Sequence, residues 1–310
     1  MITYRPFRNT DPPLLVELWN ASLAGQRAVP VRSATLLEYF VFAKPYFERE
    51  GMHLALDGGA PVGFALTGPA RDEPAAGVIS AVAVLPSYRR RGIGSQLLQL
   101  AEGHLRRRGA SVALGGGMAP DDPFLFGLYG GCSSPGVLAG DQGGRALLER
   151  CGYTLARTCA ILQRSLTRLQ MPADGRFPGI RNRYDIIAAP QRNAGRWREC
   201  VLGPVEAVEY RLQDKATNAS PARMLLWDMD TFCLHWGQSC VGLIEFVVDE
   251  AERRKGLAKY LMGNVLRHLR ERSFHVFEAQ ADPSSPAAMA IMGQFEFQQV
   301  ETGHILRKTL

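Results

Sequence analysis

No apolar run in this chain approaches the ~18 residues that a membrane-crossing helix needs, so no membrane is expected as a partner. Its six cysteines, Cys132, Cys151, Cys159, Cys200, Cys233 and Cys240, include no CxxC pair. At 310 residues the chain is not a small disulfide scaffold, and reduced thiols in a cytosolic protein are the expectation. Six histidines are scattered without ligand spacing, so no metal is expected. Met1 runs directly into a strand-like ITYRPF with no apolar leader core, which agrees with a cytoplasmic location. Nor do aromatic and basic residues interleave as in an RNA-binding sheet. A net charge of +6 raises nucleic acid as a partner, but a basic nucleic-acid-binding module ranks last among the readings. The remaining composition, 46% hydrophobic and 21% charged, is that of a globular chain long enough for two domains.

One stretch organises the rest. Val78 to Val84 is an apolar strand, followed by Leu85, Pro86 and Ser87 and then by Arg89, Arg90, Arg91, Gly92, Ile93, Gly94 and Ser95. After Gly94 the apolar residues Leu97, Leu98, Ala101 and Leu105 fall on one helical face. Three arginines at a helix start oppose the helix dipole unless an anion lies between them. Glycines there let backbone N–H groups approach that anion.

The stretch occurs twice. Arg253, Arg254, Lys255, Gly256, Leu257 and Ala258 repeat the turn at an offset of 164 residues. At that offset Val84 falls on Val248, Leu97 on Leu261, Leu98 on Met262, Ala101 on Val265 and Leu105 on Leu269. Strand, basic turn and apolar helix face recur in register, which marks an internal repeat of domain size. Neither turn carries the Gly-Lys-Ser/Thr of a P-loop. Leu97 stands where a dinucleotide fingerprint needs its third glycine.

The form R-x-x-G-x-G/A between strand and helix resembles the acyl-CoA signature of the GNAT superfamily of N-acetyltransferases. Two copies in one chain resemble its tandem members, a layout like that of mycothiol synthases. The resemblance implies two mixed α/β domains, each a twisted, mostly antiparallel sheet flanked by helices. The expected boundaries are 1–166 and 184–310, joined by a Pro- and Gly-bearing linker at 167–183. It implies an acetyl-CoA donor held by the main chain of Val82, Ala83 and Val84 and by the turn Arg89–Ser95. Phe246, Val248 and Arg253 to Ala258 are the second set, with weaker binding expected. The acceptor would be a primary amine of a small molecule or a protein. The tyrosine that commonly protonates the leaving thiolate in this superfamily is replaced by Leu148 and Met292. That departure keeps a non-catalytic acyl-CoA-binding or sensing protein open as the alternative.

Candidate catalytic groups follow from position. Glu245 lies on the second central strand, near where many such enzymes keep a glutamate, and Glu278 and His235 are weaker bases. Alternation puts Glu245 opposite Phe246 and Val248 unless a bulge intervenes. Tyr129 is the candidate acid, because Met118 to Gln142 is an unusually long Gly-, Pro- and Asp-rich loop carrying FLFGLYGG. Trp19, Tyr39, Phe40 and Tyr46 are read as core more readily than as an acceptor pocket. Elsewhere, Asp11 is expected to cap a helix and Ser33–Phe42 to form another. Gln191–Val201 and Val205–Leu212 read as helices, and Met224–Trp227 with Thr231–Trp236 as a hairpin.

Overall fold

The computed structural model describes residues 1–71, 73–119, 121–191, 196–203 and 205–310. In chain order the elements begin with β1 (Ile2–Pro6), α1 (Pro12–Ser22), α2 (Ala34–Leu37), β2 (Met52–Asp57), β3 (Ala60–Pro69) and β4 (Ala76–Val84). Next come α3 (Ile93–Arg107), β5 (Val112–Gly115), β6 (Val137–Leu138), α4 (Gln142–Arg150), β7 (Thr154–Ser165), α5 (Phe177–Arg183), β8 (Tyr184–Gln191) and α6 (Arg196–Leu202). The chain ends with β9 (Ala207–Asp214), β10 (Ala222–Asp228), α7 (Asp230–Trp236), β11 (Cys240–Val248), α8 (Leu257–Glu271), β12 (Val276–Ala281), α9 (Pro286–Gln294) and β13 (Gln298–Thr309).

These elements form two compact units. The first holds the chain up to Cys159, α6 and Glu301–Leu310. Its sheet runs β1-β2-β3-β4-β5-β13, antiparallel except for the β4–β5 pair. Alternation along β3 divides the core. Ala65 faces Leu97, Leu98 and Ala101 of α3, while Phe64 and Leu66 face Leu15 and Trp19 of α1. The second unit repeats this order as β8-β9-β10-β11-β12-β7, again with one parallel pair, β11–β12. Its helix α8 buries Leu261, Met262, Val265 and Leu266 against Tyr210, Met224, Val241 and Leu243.

The repeat extends to irregularities. In β4 the register against β3 slips at Ser80, and in β11 the register against β10 slips at Ile244, 164 residues on. Each slip is a β-bulge, one residue without a cross-strand partner. Pairing of β4 with β5 ends at Ile79–Gly115, and that of β11 with β12 at Gly242–Glu278. The strands then part. Both turns place an arginine and a glycine at positive φ, Arg90 and Gly92 at 62° and 80°, Arg254 and Gly256 at 65° and 87°.

Several elements differ from the sequence reading. The units are not contiguous: β7 from Ala160 onward pairs with β12, and the chain's last strand pairs with β5. Both closing strands carry a similar continuous buried run, 159–162 and 303–306, so pattern alone does not assign them. Val205–Leu212 is mostly strand: Tyr210, Leu212 and then Asp214 are buried at the two-residue spacing of a pleated surface. Thr231–Trp236 lies within helix α7, stopped by Gly237 at φ 69°. Asp11 does not cap α1. It accepts two hydrogen bonds from Arg5, both 2.7 Å, and one from the Arg8 amide. Of the expected helix 191–201, residues 192–195 lie outside the described residues.

Leu97 and Leu261 are each fully buried under their own sheet. Leu97→Ala and Leu261→Ala are each expected to cost about 2–5 kcal/mol. Chemical denaturation should show each loss in the transition of its own unit, while a shift under 1 kcal/mol would mean the helix face is not the core contact described.

Candidate functional site

The first basic turn is open. No side chain caps α3, and an added Cβ on Gly92 would meet nothing within 4 Å. The first amides of a helix have no intrahelical acceptor, so this end of α3 presents N–H groups to solvent. The arginines are not arranged as a simple anion clamp. Arg89 turns back, donating from Nε to the Val84 carbonyl at 3.0 Å and from Nη2 to the Ser22 carbonyl at 2.9 Å. Arg91 donates to the Ser87 carbonyl and lies over the Tyr88 ring. Arg89 therefore fixes the turn to the ends of β4 and α1.

From this turn the unpaired edge of β4, Ser80 to Val84, runs toward the point where β4 and β5 part. Among the described residues no strand pairs with that edge beyond Ile79. Val82 and Val84 pack toward α3, so the edge offers main chain rather than these side chains. A cavity of about 60 Å³ lies at the parting point, lined by Ser80, Ala81 and Val82 of β4, Leu147 and Leu148 of α4, and Tyr129.

The long loop builds the cavity's far wall. Tyr129 forms a bridge with Ala28, and Val29 and Gly130 exchange backbone hydrogen bonds with the same two segments. Phe124, Phe126 and Leu128 are buried, which anchors the loop. Burial, and next the charge of Asp141, push the Tyr129 hydroxyl far above its ordinary range, with only a hydrogen bond to the Leu138 backbone opposing.

Asp122 lies behind the bulge. Its Oδ1 accepts from the Ser80 hydroxyl at 2.7 Å and from the Phe124 amide at 2.9 Å, and its buried Oδ2 has no partner among the described residues. Gly117 leaves the room, since a Cβ there would overlap the carboxylate. Burial pushes the Asp122 carboxyl up to about 6, against the pull of its hydrogen bonds and of Lys44. Lys44 is itself buried and lowered to about 8, chiefly by burial, and donates to the carbonyls of Pro123 and Val201 at 3.1 and 3.0 Å. A second orphan, Gln26 Oε1, belongs to another residue of the cavity wall. Ser80, Asp122 and Gln26 escape a reading by turn and helix pattern. The visible signal was Ser80, a lone hydroxyl inside the apolar strand VISAVAV. Trp19 and Phe40 are core, Tyr39 is exposed, and Tyr46 packs on Trp197.

The model of the acetyltransferase (GNAT) family matches residues 19–123 and 212–297, more than half of the chain and one region in each repeat. The chain belongs to the GNAT family. It is a tandem member, with acyl transfer as the family's chemistry. No curated protein sequence matches it. A tandem GNAT protein from the clavulanic acid biosynthesis pathway is similar in fold, with TM-score 0.72 and 15% identity over 100% of this chain and 98% of that one. A GCN5-related N-acetyltransferase from Sphaerobacter thermophilus gives TM-score 0.63 at 14% identity, covering 99% and 95%. A structure described as a putative acetyltransferase from Pyrococcus horikoshii gives 0.57 at 12%, covering 100% and 89%.

In the second GNAT turn, Gly256 is covered by its own chain. Arg176 donates to the Arg254 carbonyl at 2.8 Å, and a Cβ on Gly256 would meet its guanidinium at 3.1 Å and Ile180 at 3.4 Å. Asp174 pairs with Arg176 and lies 3.6 Å from Lys259. The segment expected as a linker thus packs on the start of α8. Arg253 repeats the bond of Arg89, reaching the Val248 carbonyl at 3.3 Å. Phe246 and Val248 pack into the core under α8. The bulge at Ile244 precedes Glu245, so Glu245 still faces away from them. It lies 3.6 Å from Arg223, the satisfied surface glutamate of the plainer reading. Glu278 is buried at the parting point and accepts from Gln163 at 2.6 Å, and His235 is exposed on α7.

Asp122 supplies a stability test. Its folded carboxyl holds a proton up to about pH 6, against an ordinary value near 3.8. Its stabilising share is therefore complete below pH 4 and lost as pH rises through 6. Asp122→Asn keeps both acceptor bonds and no charge. It should gain on the wild type by about 1–3 kcal/mol between pH 4 and pH 8, read by denaturant unfolding at several pH values. An Asn variant with no pH-dependent gain would mean that the carboxylate is not desolvated.

Proposed function

We propose that the first unit transfers an acetyl group from acetyl-CoA to the primary amine of a small molecule or of an exposed protein side chain. The observation that carries this reading is the convergence, at one small cavity beside an unpaired strand edge and an open helix start, of a base, an acid and an orphan acceptor. The α3 amides suit a pyrophosphate, and the edge at Val82–Val84 suits an amide-bearing arm that pairs as a strand would. Acetyl-CoA would supply the activated thioester.

The acceptor amine must lose a proton to attack. Ser80 donates its own hydrogen to Asp122, which leaves its oxygen lone pairs to accept one from an amine in the cavity that Ser80 lines. Asp122 then serves as the positioning base behind it, and a carboxyl near 6 is matched to that task at neutral pH. Gln26 Oε1 is a buried acceptor without a donor among the described residues, a state that costs about 1–3 kcal/mol unless a ligand N–H fills it. An amine carries such a donor. Tyr129 takes the place that Leu148 cannot fill, since both line the same cavity. Burial that keeps its hydroxyl protonated makes it a hydrogen-bond donor to a departing thiolate more than a full proton source. The base role assigned from the sequence to Glu245 belongs, on this reading, to the Ser80–Asp122 pair. An open first turn, where Gly256 of the second is covered, supports the first half as the working half.

Release of CoA from acetyl-CoA, followed with a panel of small amines, tests the assignment. Wild-type kcat should rise with pH through about 6 and then level. Ser80→Ala should lose about 100-fold. Asp122→Asn should lose a similar factor together with the acid limb, which a structural role would leave in place. Tyr129→Phe should lose about 10–100-fold. Gln26→Leu should raise the KM of the amine and leave that of acetyl-CoA alone. Binding of acetyl-CoA with no CoA release for any amine would favour the non-catalytic alternative that Leu148 and Met292 keep open.

A further inference from the structure

The second unit carries two thiols that the acyl-transfer chemistry leaves unused. Cys233 lies in α7 and Cys240 opens β11, with their Sγ atoms 3.0 Å apart. A disulfide needs about 2.05 Å, so bond formation asks each sulfur to move by only about half an ångström. Six residues separate the pair, and the intervening turn is held at both ends. Met229 donates to the Cys240 carbonyl at 3.1 Å, and Gly237 donates to the Cys233 carbonyl at 2.9 Å. The two sulfurs are thus kept together by the helix stop and by the strand start, not by chance rotamers alone.

Their surroundings differ. Cys240 is fully buried, whereas Cys233 is half-buried beside the exposed Leu234. The Cys240 backbone amide donates to Cys233 Sγ at 3.1 Å, an arrangement that stabilises negative charge on that sulfur. Cys240 Sγ lies against the Met229 carbonyl and Cys233 Sγ. Hydrogen bonds from Cys240, thiol first, hold the Cys233 thiol below its ordinary range, and the same contact and burial push Cys240 up. One thiol is therefore reachable and favoured as thiolate, and the other is sheltered next to it.

We propose that Cys233 and Cys240 form a dithiol site that reacts with small-molecule disulfides and closes to an intramolecular disulfide. The Cys233 thiolate attacks one sulfur of the small disulfide, forming a mixed disulfide and expelling one small thiolate. Cys240 then attacks Cys233 Sγ, forming the Cys233–Cys240 bond and expelling the second. The two protons of the cysteines end on the two released thiols. The protein is oxidised by two electrons and the small disulfide is reduced by two, so no further oxidant is required. The product ties α7 to the first residue of β11, the strand that carries the Ile244 bulge. Cys132, Cys159 and Cys200 are buried, and Cys151 lies in another part of the chain.

The test uses the full-length native protein and oxidised glutathione. After incubation the protein is denatured in an alkylating reagent, and its peptides are mapped by mass spectrometry. The expected result is loss of two of the six alkylatable thiols, both in the peptide spanning Cys233 and Cys240, restored by dithiothreitol. Cys240→Ser should accumulate a glutathione adduct on Cys233. Cys233→Ser should form neither adduct nor cross-link in that peptide. Six alkylatable thiols after incubation, or a cross-link between any other pair, would overturn the proposal. The wild-type map decides this without either variant, and it is independent of acetyl transfer.

Discussion

Everything at the candidate site depends on the parting of β4 from β5 after Ile79. Ser80 is the bulged residue, and the bulge ends regular pairing on one side while it bends the strand away from β5. An unpaired strand edge is normally a hazard, since its amides and carbonyls invite another strand. Here the edge is short, ends at the Arg89–Val84 bond, and leads into a walled cavity. The same slip turns Val82 and Val84 toward α3, the face of Ile79, where a regular strand would turn them to the other face.

Burying Asp122 beside Lys44 costs stability, and the fold meets that cost by anchoring the loop through Phe124, Phe126 and Leu128. Lys44 ties the loop to α6 through Pro123 and Val201. Such an arrangement holds a carboxyl near neutrality at a fixed place. The second unit has the bulge, the turn and the helix, but Ile244 replaces Ser80, and only a few residues join β12 to α9. Arg176 lies against Gly256 of its turn, with Asp174 set between Arg176 and Lys259 as an internal anion. Two copies of one local design thus diverge through the segments laid over them.

Much of this was legible in the sequence because it is local. The turn residues at Arg89–Gly94, the apolar stripe from Leu97 to Leu105 and their repetition at 253–269 specify strand, turn and helix without reference to the rest of the chain. Tyr129 could be singled out because aromatics in a Gly-rich loop must be buried somewhere. Other features depend on distant contacts. Asp122 meets Ser80 across 42 residues, and Arg176 meets the second turn across 78. The exchange of β7 and β13 between the units is set by strand edges that alternation does not tell apart. Within Thr231–Trp236 the spacing of Phe232 and Trp236 fits a strand and a helix alike, and Gly237 breaks the tie.

Calorimetric titration of acetyl-CoA into protein free of copurified CoA tests most directly the contrast between an open first turn and a covered second one. One site per chain is expected, abolished by Gly92→Trp, whose side chain would fill the open turn, and retained in Gly256→Trp. Two sites of comparable affinity, or a single site lost only in the Gly256 variant, would contradict it.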